Sequence, residues 1–204
     1  MNKDSTDFML TEYERISNAY FGLRDQVNEW FKAYLTLVGF PLTVLAAVLK
    51  ISGENISTSL DDLPDIVSAL LIVVSLLGGF VTLSIISMRM EMILYARTIN
   101  GVRRYFANAD IKLVDYLILP TCDIKPPFYE SWRAIFWQVL LIGILDGIIM
   151  FGGIQGLFKF GLPLKILIGL MFMIAHWLVY RLMAWKRERE WIIHFSSDIN
   201  SAQL

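Results

Sequence analysis

The stretch IVSALLIVVSLLGGFVTLSIISM, from Ile66 to Met88, decides the fold class of this chain. It is 23 residues long and contains no charged side chain. A helix needs about 20 predominantly apolar residues to cross the hydrocarbon core of a bilayer. The stretch therefore predicts a membrane-spanning helix.

Three further stretches are apolar enough to span a membrane: 33–49, 134–158 and 166–180. The first is interrupted by Pro41, which a spanning helix tolerates when neighbouring helices satisfy the carbonyl that the proline frees. The second holds one charge, Asp146, and the last extends toward Leu162 if Lys165 reaches outward. With 56% hydrophobic residues and a mean hydropathy of +0.55, the chain is predicted to be an all-α integral membrane protein with four transmembrane helices.

Positive charge is concentrated in the segments that precede span three and follow span four. Short cytoplasmic segments of membrane proteins carry an excess of Lys and Arg. Seven such residues lie between spans two and three and four follow span four, whereas the other two loops hold only Lys50, Lys159 and Lys165. Both termini are therefore predicted to be cytoplasmic. The predicted segments are an N-terminal amphipathic helix (1–30), a transmembrane hairpin (31–89), a cytoplasmic helix and interfacial connector (90–132), a second hairpin (133–184) and a C-terminal cytoplasmic helix (185–204).

The N-terminal segment combines a capping signal with an apolar seam. Thr11 and Glu14 have the spacing of a capping box, which predicts that a helix begins at Thr11. Apolar residues then alternate at spacings of three and four, which is a heptad pattern. Two readings are open: the seam packs on helices of its own chain, or copies of the helix gather around a symmetry axis and make the protein an oligomer. The seam consists of Tyr13, Ile16, Tyr20, Leu23, Val27, Trp30 and Tyr34.

The second span is predicted to continue far into the cytosol, because 89–106 contains no proline and one glycine. Its end carries Arg97, Asn100, Arg103 and Arg104, of which the first, second and last share a helical face. Such arginines serve as positive-inside anchors or contact lipid phosphates. The alternative is an anionic ligand, since planar guanidinium groups make bidentate phosphate contacts.

One ionisable residue lies near the midpoint of a span. An ionised carboxylate there costs roughly 2.5–3.5 kcal/mol on insertion scales, so Asp146 is predicted to face the protein rather than lipid. Spans three and four turn near Gly161, which puts Asp146 at the depth of His176. The two side chains are predicted partners, either as a structural hydrogen bond or as part of a pore or gate together with Gln138.

Little in the sequence points to catalysis. There are two histidines and one cysteine, Cys122, and no glycine-rich phosphate loop, HExxH, CxxC or GxSxG element. No catalytic residue, metal site or cofactor is predicted, and the protein is not expected to be an enzyme. Three functions remain: an oligomeric ligand-gated ion channel, a non-conducting membrane sensor or scaffold that recruits a cytosolic partner, and a small proton-coupled transporter that uses Asp146.

An N-terminal helix, four spans and the stretch YARTINGVRRYF, from Tyr95 to Phe106, resemble small membrane components of bacterial anti-phage defence systems. The plan is similar to that of the Hailong membrane effector and, in size and span count, to that of the Kiwa membrane sensor. The first resemblance implies a tetrameric channel of the bacterial inner membrane, controlled by short DNA oligomers. The second implies a tetrameric scaffold that senses infection and docks a cytosolic DNA-binding partner.

Overall fold

The computed structural model describes residues 3–52, 64–109, 122, 125–158 and 160–201, and the regular structure in these ranges is helical. Four helices follow one another: α1 (Lys3–Ser52), α2 (Asp65–Ala109), α3 (Ala134–Leu157) and α4 (Leu162–Ser201). The prediction that the second span continues into a long helix agrees with α2, which is one unbroken helix of 45 residues.

Three helices are long and apolar enough to cross a membrane: α2, α3 and α4 as far as Ile193. The first predicted span, 33–49, lies in α1, which continues through Pro41 without ending. Several side chains of that span, at 44, 45, 48 and 49, lie outside the described residues. It therefore stays a prediction that residues 33–49 span the membrane and that the protein has four spans rather than three.

The predicted start of the first helix is wrong. Helix α1 begins at Lys3, so Thr11 lies inside it rather than at its N-terminus. The Thr11 hydroxyl donates to the Asp7 carbonyl at 2.9 Å, one turn earlier. A threonine can satisfy its hydroxyl in this way within a helix, and the capping-box spacing alone does not distinguish the two arrangements.

The chain divides into two compact units. The apolar unit comprises Glu29–Ile86 and Ser131–Met183, and the charged unit comprises Met1–Asn28, Ser87–Glu130 and Ala184–Leu204.

In the apolar unit, α3 and α4 cross where Gly147 meets Gly169. A Cβ on either glycine would lie 2.8–2.9 Å from the carbonyl oxygen of the other, closer than real Cβ atoms come. Small residues at such a crossing let two spanning helices approach closely.

Candidate functional site

The core of the apolar unit contains a hydrogen-bonded set of three ionisable side chains from three helices. Asp146 of α3 is completely buried, Tyr34 of α1 is 1% exposed and His176 of α4 is 6% exposed. The Tyr34 hydroxyl donates to Oδ1 of Asp146 at 2.8 Å. Nε2 of His176 lies 3.0 Å from Oδ2 of the same carboxyl group. We call these three residues the buried triad.

Glycines on the facing helices make the space that the triad needs. A Cβ at Gly78 of α2 would overlap the Asp146 carboxyl group. A Cβ at Gly143 would lie 3.1 Å from Cβ of His176. The Ser75 hydroxyl donates to the backbone carbonyl of Asp146 at 2.9 Å, which ties α2 to α3 at the same level. All four helices therefore meet around one carboxyl group.

The hydrogen bonds of His176 determine how many protons the triad holds. Nδ1 lies 2.8 Å from the Phe172 carbonyl oxygen, which can only accept, so Nδ1 carries a proton. Between Nε2 and Oδ2 a hydrogen bond needs one more proton, on either atom. Asp146 and His176 are then both neutral or form an ion pair, and the triad has zero net charge in both cases. This neutrality removes most of the cost of burying a carboxyl group in an apolar surrounding.

The 3.0 Å contact between Nε2 of His176 and Oδ2 of Asp146 confirms the predicted pairing of these two residues. The two side chains meet because α3 and α4 run antiparallel. The third predicted pore residue, Gln138, lies half-buried on α3, more than two turns from Asp146. Helix α4 begins at Leu162, as the extended form of span four requires, and Lys165 is buried within it. Its ammonium group is buried and donates to the Gln155 carbonyl at 3.2 Å, linking the end of α3 to the start of α4.

Two of the four residues predicted to bind an anionic ligand hold the charged unit together. The Arg97 guanidinium, whose side chain is completely buried, donates to both oxygens of Glu188 at 2.8 and 3.0 Å and to the Pro126 carbonyl at 3.1 Å. It also lies 4.4 Å from the centre of the Phe128 ring. The Asn100 amide donates to the backbone carbonyls of Cys122 and Lys125.

The other two predicted ligand residues lie nearer the surface. Arg104 is exposed, and Arg103 is half-buried. Arg103 donates to the Tyr13 hydroxyl at 3.1 Å, so this part of α2 is in contact with α1. Of the four predicted residues, these two are the ones whose side chains are not buried.

The apolar seam of α1 is partly covered by its own chain. Ile16, Val27 and Tyr34 are buried, Tyr13, Tyr20 and Leu23 are half-buried, and Trp30 is 46% exposed. The first of the two readings, packing within the chain, accounts for the buried members. Tyr34 turns out to belong to the triad as well as to the seam.

Ser75 and Gly78 were not predicted as part of the site, although a signal was present. Ser68, Ser75 and Thr82 recur every seven residues on α2, and all three are buried. Small hydroxyl residues in such a row are typical of faces that bond across to neighbouring spanning helices. Among the described residues, no group of three or more His, Cys, Asp or Glu side chains could hold a metal ion.

Comparison with known proteins gives no relative from which a role for these residues follows. No family model matches the chain. A search of curated proteins and a search of solved structures likewise returned no match.

Proposed function

We propose that the protein is an oligomeric ion channel of the bacterial inner membrane, in which the buried triad forms part of the gate. The observation that carries the proposal is the enclosure of Tyr34, Asp146 and His176 among apolar helices. An ionisable residue inside a spanning bundle is rare because it is costly, and it commonly marks an ion or proton pathway.

The proposed topology has four spans with both termini in the cytosol. The apolar parts of α2, α3 and α4 provide three spans. Residues 33–49 of α1 are proposed as the fourth, because they are largely apolar and Tyr34 holds this helix against α3. The unequal distribution of Lys and Arg supports the orientation.

In this proposal the triad holds the closed state. Its hydrogen bonds join α1, α3 and α4, and Ser75 adds α2. Moving any one of these helices breaks at least one bond to Asp146 and turns a carboxyl group toward the space that opens. A polar group exposed in this way favours water and ions in a path that apolar side chains otherwise keep dry.

The opening signal is proposed to be a cytoplasmic anion, in the defence role that the resemblance implies, with a short oligonucleotide as the ligand. The surface around Arg103 and Arg104 supports this choice, because guanidinium groups there are not enclosed as Arg97 is. The same surface also fits an acidic patch of a protein partner.

Two other functions are each favoured by one observation. The hydrogen bonds that occupy both carboxyl oxygens of Asp146 favour a non-conducting sensor or scaffold, in which the triad only stabilises the bundle. The single proton between Oδ2 and Nε2 favours a small proton-coupled transporter, since that proton has two adjacent positions.

Ion flux through liposomes that contain the purified protein separates these functions. The channel predicts flux that changes when short single-stranded DNA oligomers are added on the cytoplasmic side. Absence of flux with and without oligomer, in liposomes shown to contain folded protein, would leave the scaffold. Substrate flux that requires a pH gradient would indicate the transporter.

A further inference from the structure

One face of α4 is uncovered from Leu164 to Ile192. It carries Leu164, Met171, Leu178, Trp185 and Ile192, which are seven residues apart and between 42% and 62% exposed. A spacing of seven residues keeps side chains on one side of a helix. We call this face the α4 stripe. Only 17% of the apolar part of α4 is buried within the chain, compared with 44% for α2 and for α3.

Lipid accounts for the upper part of the stripe but not for its lower end. His176 lies level with Asp146 near the middle of α3, so Ile192, 16 residues further along α4, lies about 24 Å from the bilayer midplane at 1.5 Å per residue. The hydrocarbon core and the headgroup region together reach about 20–23 Å from the midplane. Ile192 therefore lies beyond the reach of lipid, although it is 58% exposed.

The exposed face of α2 shows the pattern that lipid alone produces. Val73 and Phe80 are exposed in the apolar part of the helix. Beyond Leu83 and as far as Tyr105, the exposed positions are Ser87, Glu91, Thr98 and Arg104, all of them polar, and then Tyr105 itself, an aromatic residue with a polar hydroxyl. The change to polar residues comes where α2 leaves its apolar stretch. The α4 stripe makes no such change, which indicates a protein surface rather than water against its lower end.

We infer that the α4 stripe is the contact between copies of this chain, so that α4 of one copy packs along α4 of another. The inference rests on the oligomer proposed above and names its interface. A second copy carries the same row of side chains at the same depths, both within the bilayer and below it. A repeat of large apolar residues every seven positions is also the pattern along which two helices pack in a left-handed pair.

The exposed area is of the right size for such a contact. Leu167 and Ile174, at 51% and 47% exposed, widen the stripe within the bilayer. Leaving about half of seven large apolar side chains uncovered exposes roughly 700 Å², if each has about 200 Å² when fully exposed. A stable protein interface takes about 800 Å² from each partner.

Disulfide cross-linking in native membranes tests the inference. The single cysteine is first replaced as Cys122→Ser, which leaves its backbone carbonyl free to accept from Asn100. Single cysteines are then introduced as Leu178→Cys and Ile192→Cys. Matched controls on the exposed face of α2 are Val73→Cys, within the apolar part, and Thr98→Cys, beyond it.

On oxidation, most of the chain is expected as disulfide-linked dimer at both α4 positions, with only background dimer at both α2 positions. In detergent, Ile192→Glu is expected to convert the oligomer seen by light scattering into monomer, while Thr98→Glu leaves its mass unchanged. Dimer at the α2 positions as abundant as at the α4 positions would overturn the inference, as would oligomer without α4 cross-links.

The cross-links and the flux measurement can fail independently. Flux without α4 cross-links would keep the channel and reject the α4 stripe as the interface. Cross-linked α4 in a protein that conducts nothing would keep the interface and reject the channel.

Discussion

Asp146 and His176 share one proton across 3.0 Å between Oδ2 and Nε2, because the other ring nitrogen of His176 is committed to the Phe172 carbonyl. This relationship fixes the charge of the triad at zero without fixing where the proton resides. A buried pair with these properties can act as a stable bond between helices or as a site that changes when the helices move.

Replacing Asp146 is expected to separate the structural role of the triad from its charge. In Asp146→Asn the amide oxygen still accepts from Tyr34 and the amide N–H can donate to His176, so the free energy of unfolding should fall by no more than about 1 kcal/mol. Asp146→Ala leaves the buried His176 Nε2 without its partner and should cost about 1–3 kcal/mol. Thermal unfolding in detergent, followed by tryptophan fluorescence, measures both. Equal midpoints for wild type and Asp146→Ala would contradict the structural role.

Two adjacent glycines of α2 provide a matched test of the space around Asp146. The methyl group of Gly78→Ala would overlap the carboxyl group, whereas nothing lies within 4 Å of a Cβ at Gly79. Gly78→Ala should therefore lower stability by about 1–3 kcal/mol, as overpacking does. Gly79→Ala should be neutral, within about 0.5 kcal/mol. Equal unfolding midpoints for the two variants would show that α2 does not approach Asp146 as described.

The crossing of α3 and α4 can be tested in the same way. A Cβ at Gly169 would lie 2.9 Å from the Gly147 carbonyl oxygen, which belongs to the backbone and cannot move aside cheaply. A Cβ at Gly152 meets only Cδ1 of Leu71, at an ordinary 3.7 Å. Gly169→Ala is expected to force the two helices apart and lower the unfolding midpoint, while Gly152→Ala leaves it within a degree or two. A larger loss at Gly152 would contradict this packing.

Two glutamates in α4 differ sharply in what they contact. Glu188 faces the fully buried Arg97 guanidinium and also accepts from the Phe128 amide at 3.2 Å. Glu190 makes exposed contacts, to Lys186 at 3.9 Å and to Arg187 at 3.4 Å. Glu188→Gln removes the negative charge beside Arg97 and should cost about 1.5–3 kcal/mol. Glu190→Gln should cost less than about 1 kcal/mol.

Hydrogen exchange gives a local readout for this comparison. The Phe128 amide should exchange faster in Glu188→Gln than in wild type, because its acceptor is weakened. In Glu190→Gln the rate should not change. Faster exchange in both variants would indicate a general loosening rather than the loss of one contact.

The sequence predicts the helices better than it predicts the site. The length and apolar character of the stretches are sufficient to predict the spanning parts of α2, α3 and α4. Asp146 and His176 can be paired because a short turn between α3 and α4 puts them at the same depth. Tyr34 could not be added in this way, because α1 is far from α3 along the chain and its depth depends on how the helices pack. The glycines at 78 and 79 look equivalent in the sequence, and only packing distinguishes them.

The arginines of α2 show the same limit. Their type and spacing suit a phosphate ligand equally well whether they face water or their own chain. Arg97 faces Glu188, 91 residues further along, and no local pattern predicts that distance in sequence. Of the four predicted ligand residues, Arg97 and Asn100 are buried whereas Arg103 and Arg104 are not, and their spacing in the sequence does not predict this difference.

Ion flux through liposomes containing wild type, Asp146→Asn or Gly79→Ala tests most directly whether the triad controls conduction. We predict that wild type and Gly79→Ala conduct alike and respond alike to the oligomer, whereas Asp146→Asn, although folded, differs in its conductance or in its response. Identical flux from all three proteins would contradict a gate at Asp146 and leave the triad as a structural bond between helices.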